Sequence, residues 1–315
     1  MRPRRIRSRA RSAAPGPLAC VLALALLSSA ACGSSDREPP ADPDSIVVGS
    51  FDFTESRVLA RVYASALTAA GYEVELLPSV GTREIMEPAL EQGQVDLVPE
   101  YQGTALTFIS FGNVDVPADP RAAHQMLVER FAERGIVPLD FAHAVNKNEV
   151  VVTRELAVQH DLRMISDLRS LAPELIFGGP PESPSRPLCL VGLEAEYDLS
   201  FADFVPLDPG GPLTVAALDA GEVDVALLFS TNPAIGLEGF VALEDDRRLQ
   251  PPENVVPVVR EEVLGTHGPG IEEVIDAVTA KLTTTALREF NAAVDLDGRS
   301  ASDVATEWLN SEGLT

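Results

Sequence analysis

The chain has 315 residues, 48 acidic against 24 basic, for a formal charge of −24. A surface this acidic repels nucleic acid and anionic lipid head groups, and no basic patch interrupts it, so no nucleic-acid partner is expected. The four histidines (His124, His143, His160, His267) show no metal-ligand spacing, and no Gly-x-Ser-x-Gly, P-loop or strand-following Gly-x-Gly-x-x-Gly occurs. No metal, no cofactor and no enzymatic activity are therefore expected.

In chain order, a basic head from Arg2 to Arg11 precedes an apolar run, Leu18 to Ala31, that ends at Cys32. Basic, apolar, then small is the pattern of an export signal, and the run is short for a membrane span. Residues 1–31 are read as a signal peptide. Ser29-Ala30-Ala31-Cys32-Gly33 resembles a bacterial lipoprotein signal, which implies lipidation of Cys32; an ordinary cleaved signal is the other reading. Residues 32–44, polar and Pro-rich, suit a flexible tether. Without residues 1–31 the charge becomes −30, and Cys189 is left as the lone cysteine of the folded part, unable to form an internal disulfide. Its apolar setting, Pro187 to Val191, points to an inert thiol.

A first lobe opens with a strand from Ile46 to Ser50. A helix follows, with Asp52 or Thr54 as N-cap, Glu55 placed for a capping box and Gly71 as stop. Val74 to Leu77 reads as a strand. A helix after Gly81-Thr82 puts Ile85, Met86, Ala89 and Leu90 on one face, and Val95 to Val98 is a third strand. A helix from Pro120 to Arg134 and two short apolar runs lead to Asn146-Lys147-Asn148-Glu149, read as a first crossing. A second lobe repeats the order: a strand at Leu175 to Gly179, a helix from Pro187 to Tyr197 capped by Ser185, a strand at Phe204 to Leu207, a helix around Leu213 to Leu218, and a strand from Val223 to Phe229. Val255 to Val259 reads as the return to the first lobe, and residues 270–312 as three helices.

The two lobes carry a repeat. Ala89-Leu90-Glu91-Gln92-Gly93-Gln94-Val95-Asp96-Leu97 matches Ala217-Leu218-Asp219-Ala220-Gly221-Glu222-Val223-Asp224-Val225, and the register pairs Tyr101 with Phe229. The expected fold is α/β with two lobes, each a mainly parallel sheet flanked by helices, joined by two hinge crossings. Lobe I is assigned residues 45–145 plus 255–315, and lobe II residues 146–254.

Ligands in parallel sheets bind outside the carboxyl ends of strands, at helix N-termini. Tyr101 and Phe229 stand there, able to stack on an apolar or cationic group; Phe229 as plain core is the competing reading. Arg186, after a Ser-Pro-Ser turn, can hold a carboxylate by bidentate bonds or be a solvated helix start. Phe51 and Phe53 fit a hydrophobic staple as well as a cage.

At these loops the chain resembles the substrate-binding component of osmoprotectant ABC transporters, the glycine betaine/choline/carnitine/proline betaine group of the type II periplasmic binding proteins. The stretches are Val48-Gly49-Ser50 with Phe53-Thr54-Glu55, Gly81-Thr82-Arg83-Glu84, Asp96 to Leu106 (with Glu100-Tyr101-Gln102-Gly103-Thr104), Asn146-x-Asn148, Arg186-Pro187, and Gly221 to Asp224 followed by Phe229-Ser230-Thr231. The resemblance implies an aromatic cage for a quaternary ammonium, with Tyr101 and Phe229 as walls and Arg186 on the ligand carboxylate. It also implies Phe53, Thr54, Glu84, Gln102, Thr104, Asn148 and Thr231 as further contacts. Glu84 and Val215 stand where such cages carry more tyrosines, and Phe51 where a polar residue is usual. Glu84 can stand in for a lost ring by pairing with a cation. The implied function is an extracytoplasmic, lipid-anchored monomer that delivers a small osmolyte to a permease with its ATPase. A ligand-sensing domain of a signalling system, or a binder of another amine or amino-acid-like solute, is the alternative.

Overall fold

The computed structural model describes residues 45–236 and 239–315. The signal peptide, Cys32 and the tether lie outside them. The first half holds β1 (Ile46–Phe51), α1 (Thr54–Ala69), β2 (Val74–Gly81), α2 (Arg83–Glu91), β3 (Leu97–Tyr101), α3 (Gln102–Ile109), α4 (Pro120–Ala132) and β4 (Ile136–Pro138). Next come β5 (Asn148–Thr153), α5 (Arg154–His160), β6 (Ile176–Gly179), α6 (Leu190–Tyr197), β7 (Asp203–Pro206), α7 (Pro212–Asp219), β8 (Val225–Phe229) and β9 (Phe240–Ala242). The chain ends with β10 (Val255–Arg260), α8 (Glu261–His267), α9 (Pro269–Thr279), α10 (Thr284–Asp295) and α11 (Ala301–Glu312).

Two five-stranded sheets result, ordered β2-β1-β3-β10-β4 and β7-β6-β8-β5-β9. Both are mixed rather than largely parallel. β1 runs parallel to β2 and β3, and β6 parallel to β7 and β8, but β10 pairs antiparallel with β3 and β4, and β5 antiparallel with β8 and β9. A parallel neighbour needs a long crossover. β5 and β10 instead enter their sheets straight from the segments that pass between them. Those two segments lie side by side: Val145 and Asn254 form an isolated antiparallel bridge, and the Asn146 amide donates to the Glu253 carbonyl.

The repeat is reproduced bond for bond. Gly93 and Gly221 both take positive φ, near +70°, to end α2 and α7. The next amide, of Gln94 or Glu222, returns to the carbonyl of Ala89 or Ala217. Asp96 and Asp224 then each accept from a backbone amide of the neighbouring strand, Val47 in one sheet and Ile176 in the other. Tyr101 and Phe229 close β3 and β8 at equivalent places, opposite Val255 and Asn148.

Apolar side chains fill both faces of each sheet. The C-terminal helices complete the first: Ile271, Ile275, Leu287, Phe290 and Leu309 share one core with Val58, Leu59 and Val62 of α1. Each such side chain is worth about 2 kcal/mol when buried, so this shared core ties the C-terminus to the first sheet.

Three local expectations are corrected. α1 has Phe53 at its N-cap with no side-chain cap bond. Asp52 pairs with Arg57, Thr54 donates to Asp295, and Glu55 turns inward instead of closing a capping box. α6 begins at Leu190 because Ser183–Ser185 form a 3₁₀ turn and Cys189 leaves the helical region, while the Ser185 hydroxyl donates back to Glu182. Ile85 is 55% exposed, overhanging the turn at Gly81 rather than joining Met86, Ala89 and Leu90 in the core.

Candidate ligand-binding site

A cavity of about 350 Å³ opens where the carboxyl ends of the parallel strands of the two sheets face each other. Its first wall carries Phe51 at the end of β1 and Phe53 just after it, Arg83 and Glu84 at the start of α2, Tyr101 at the end of β3, and Thr104 and Phe108 on α3. Its second wall carries Asn148, Arg186, Leu188, Leu227 and Phe229. The volume suits a small organic solute.

Phe53 is central. Its ring centroid lies 6.0 Å from that of Tyr101 and 5.2 Å from that of Phe229, both tilted. Rings from both lobes therefore meet at Phe53, which lies outside the repeat. Phe51 stacks on Phe53 at 6.2 Å and carries the Arg83 guanidinium over its ring at 4.7 Å.

Glu55 holds this aromatic floor from behind. It is 1% exposed and accepts four side-chain bonds. Tyr101 Oη (2.6 Å) and Asn146 Nδ2 (2.9 Å) donate to Oε1; Thr231 Oγ1 (2.6 Å) and Asn291 Nδ2 (3.1 Å) donate to Oε2. These donors come from the first wall, a crossing segment, the second lobe and α10. Burial pushes the carboxyl above its ordinary value, and the four bonds pull it partly back. The Tyr101 phenol is pushed up as well, by burial and by Glu55.

The charged groups are committed to one another. Arg83 donates Nε and Nη2 to the two oxygens of buried Glu100 at 2.9 and 2.7 Å. Arg186 reaches across from the second wall, donating Nη2 to Glu84 Oε2 at 2.8 Å with its guanidinium 5.0 Å above the Phe108 ring. Burial alone would raise the Glu84 carboxyl, but the Thr82 hydroxyl, a backbone amide, Arg186 and Arg83 outweigh it and hold the group below its ordinary value. Arg186, read from the sequence as the holder of a ligand carboxylate, pairs here with Glu84. Glu253, beside the second crossing, accepts both the amide and the hydroxyl of Thr104; burial pushes it up to about 7.

Of the residues expected at the site, Phe53, Glu84, Tyr101, Thr104, Asn148, Arg186 and Phe229 line the cavity. Thr54 and Thr231 lie behind it, bonded to Asp295 and Glu55. Gln102, the first residue of α3, is fully buried and turns its amide toward the Pro120 carbonyl, away from the cavity lining. Val215 packs against the second lobe's core instead of the cavity. Glu55, Arg83, Asn146 and Phe108 were not anticipated. Glu55 had a readable signal, because it shares a helical face with Val58, Leu59 and Val62, where an acid has no place unless it is bonded. Among the described residues, no group of three or more His, Cys, Asp or Glu side chains is placed to hold a metal.

Two sheets of this topology around an aromatic cleft define a two-lobed solute-binding protein. A family model for the substrate binding domain of ABC-type glycine betaine transport systems matches residues 44–311, and the chain belongs to that family. It is a transport binding protein rather than an enzyme. It is 27% identical over 295 residues to a glycine-betaine-binding protein of Pseudomonas aeruginosa, covering 90% of this chain and 93% of the relative. It is 26% identical over 270 residues to the carnitine transport binding protein OpuCC of Listeria monocytogenes, covering 84% and 86%. A crystal structure of a glycine betaine/carnitine/choline ABC transporter protein superposes with a TM-score of 0.67 at 25% identity, covering 85% of this chain and 99% of that one.

Proposed function

We propose that this chain binds a small quaternary-amine osmolyte, of the glycine betaine or choline kind, in the cavity between its lobes, and presents it to an ABC-transporter permease. The observation that carries this reading is the cluster of Phe53, Tyr101 and Phe229, drawn from both lobes around one cavity. Aromatic faces attract a cation whose charge is too diffuse to be strongly hydrated. Thr104 and Asn148 supply polar contacts, while Thr54, Gln102 and Thr231 act from behind the walls. Residues 45–145 with 255–315 move as one lobe and 146–254 as the other, turning about the paired crossings. The protein works as a monomer on the outer face of the membrane, held by a lipid on Cys32.

Isothermal titration with glycine betaine, choline and carnitine tests this directly. At least one of them binds, and Phe229→Ala weakens it by about tenfold or more. Silence toward all three, with no rise in melting temperature, would overturn the reading. Cys32→Ser releasing the protein from the membrane fraction checks the anchor.

A further inference from the structure

Both arginines that line the cavity already hold a carboxylate of the protein. Arg83 lies amid Glu100, Glu253 and Glu87, and its bidentate pairing with Glu100 leaves little for an entering anion. Arg186 is bound by Glu84 across the cleft, and the same Glu84 oxygen accepts the Thr82 hydroxyl at 2.6 Å. The lining holds three acids, Asp52, Glu84 and Glu182, against these two bases. A ligand carboxylate that reached Arg186 would have to share one guanidinium with Glu84. Two like charges so close disfavour each other by on the order of tenfold or more in affinity, even after solvent screening. A ligand with a positive charge and no carboxylate meets no such cost and gains the field of the surplus acid.

We propose that Glu84 determines specificity: it takes, on Arg186, the place of a ligand carboxylate, and so selects an organic cation that bears none, such as a quaternary amino alcohol, over a zwitterion. The same bond latches the two lobes, since Glu84 belongs to one wall and Arg186 to the other. Closure is then supported by the protein's own charges, and the ligand supplies only its cation. This deepens the proposed function and rests on its reading of the cavity as a quaternary-ammonium site.

Titration of choline and of glycine betaine into the native protein, Glu84→Gln and Glu84→Asp tests it. The native protein favours choline by about tenfold or more. Glu84→Gln, which frees Arg186, raises betaine affinity by about tenfold and lowers that of choline. Glu84→Asp, which keeps the charge, keeps the preference for choline. Glu84 is half exposed, so its variants fold, and an unchanged melting temperature without ligand verifies this. Native protein that binds betaine as tightly as choline, or a Gln variant that shifts both by one factor, overturns the role of Glu84 and leaves the cation site standing. Binding of neither compound to any variant overturns the site and this inference together.

Discussion

Glu55→Ala is the most informative perturbation away from the cavity surface. Three donors depend wholly or mainly on the carboxylate: Tyr101 Oη, Thr231 Oγ1 and Asn146 Nδ2. Asn291 Nδ2 keeps the Thr231 carbonyl, 3.2 Å away, and loses little. A buried donor left unpaired costs about 1–3 kcal/mol, so three cost about 3–6 kcal/mol after a water enters the vacated space. Some of this is returned, because the variant no longer desolvates a carboxylate. The expected loss of unfolding free energy is about 4 kcal/mol, or about 10 °C in Tm for a chain of this size. Glu55→Gln keeps one acceptor oxygen for Tyr101 and Asn146 and loses about 1–2 kcal/mol. Urea unfolding followed by circular dichroism measures both. Ligand affinity falls as well in the Ala variant, since Tyr101 and Thr231 on the two lobes lose their common partner. A loss below about 1 kcal/mol for Glu55→Ala, or equal losses for Ala and Gln, would refute the view that this carboxylate organises the floor.

Three further outcomes are expected. Glu253 has its folded-state value raised to about 7 from 4.5, so it contributes stability that is fully present below pH 4.5 and is lost as pH rises to 7; its share of the decline is about 3 kcal/mol, and Glu253→Gln flattens the slope of urea midpoint against pH in that window. Gly210 has φ +60°, and a Cβ there would lie 3.0 Å from Phe229 Cδ2, so Gly210→Ala costs about 1–2 kcal/mol in thermal unfolding and also weakens ligand binding by displacing the ring. Burial pushes the Cys189 thiol up to about 12, so at pH 8 it reacts with Ellman's reagent more slowly in the native protein than in urea; equal rates would contradict that upward shift.

The repeat at Ala89 and Ala217 was legible because each residue of that unit answers a local demand: a helix end, a glycine at positive φ, an acid that caps a neighbouring strand, and a buried strand. Tyr101 and Phe229 followed from strand register alone. The antiparallel strands were not legible as such, since Val255 to Val259 reads the same in either direction and only the route taken by the chain decides. Nor was the commitment of Arg186 to Glu84. Those residues stand 102 positions apart, and no spacing rule connects them. Glu55 was misread because a capping box and a buried hub begin with the same residue types, and only the apolar stripe below it separates the two.

The pairing of Tyr101 with Val255 and of Phe229 with Asn148 places each ring beside a residue that directly follows a crossing. Points close to a rotation axis travel least. If the lobes swing about the crossings as proposed above, the aromatic seat stays nearly intact while the half-exposed Glu84 parts from Arg186. On that proposal, an opened molecule would keep a ready landing place for a greasy cation and surrender only its clasp. Release would then need no dismantling of the seat, and a permease that prised Glu84 from Arg186 would have done most of what unloading requires.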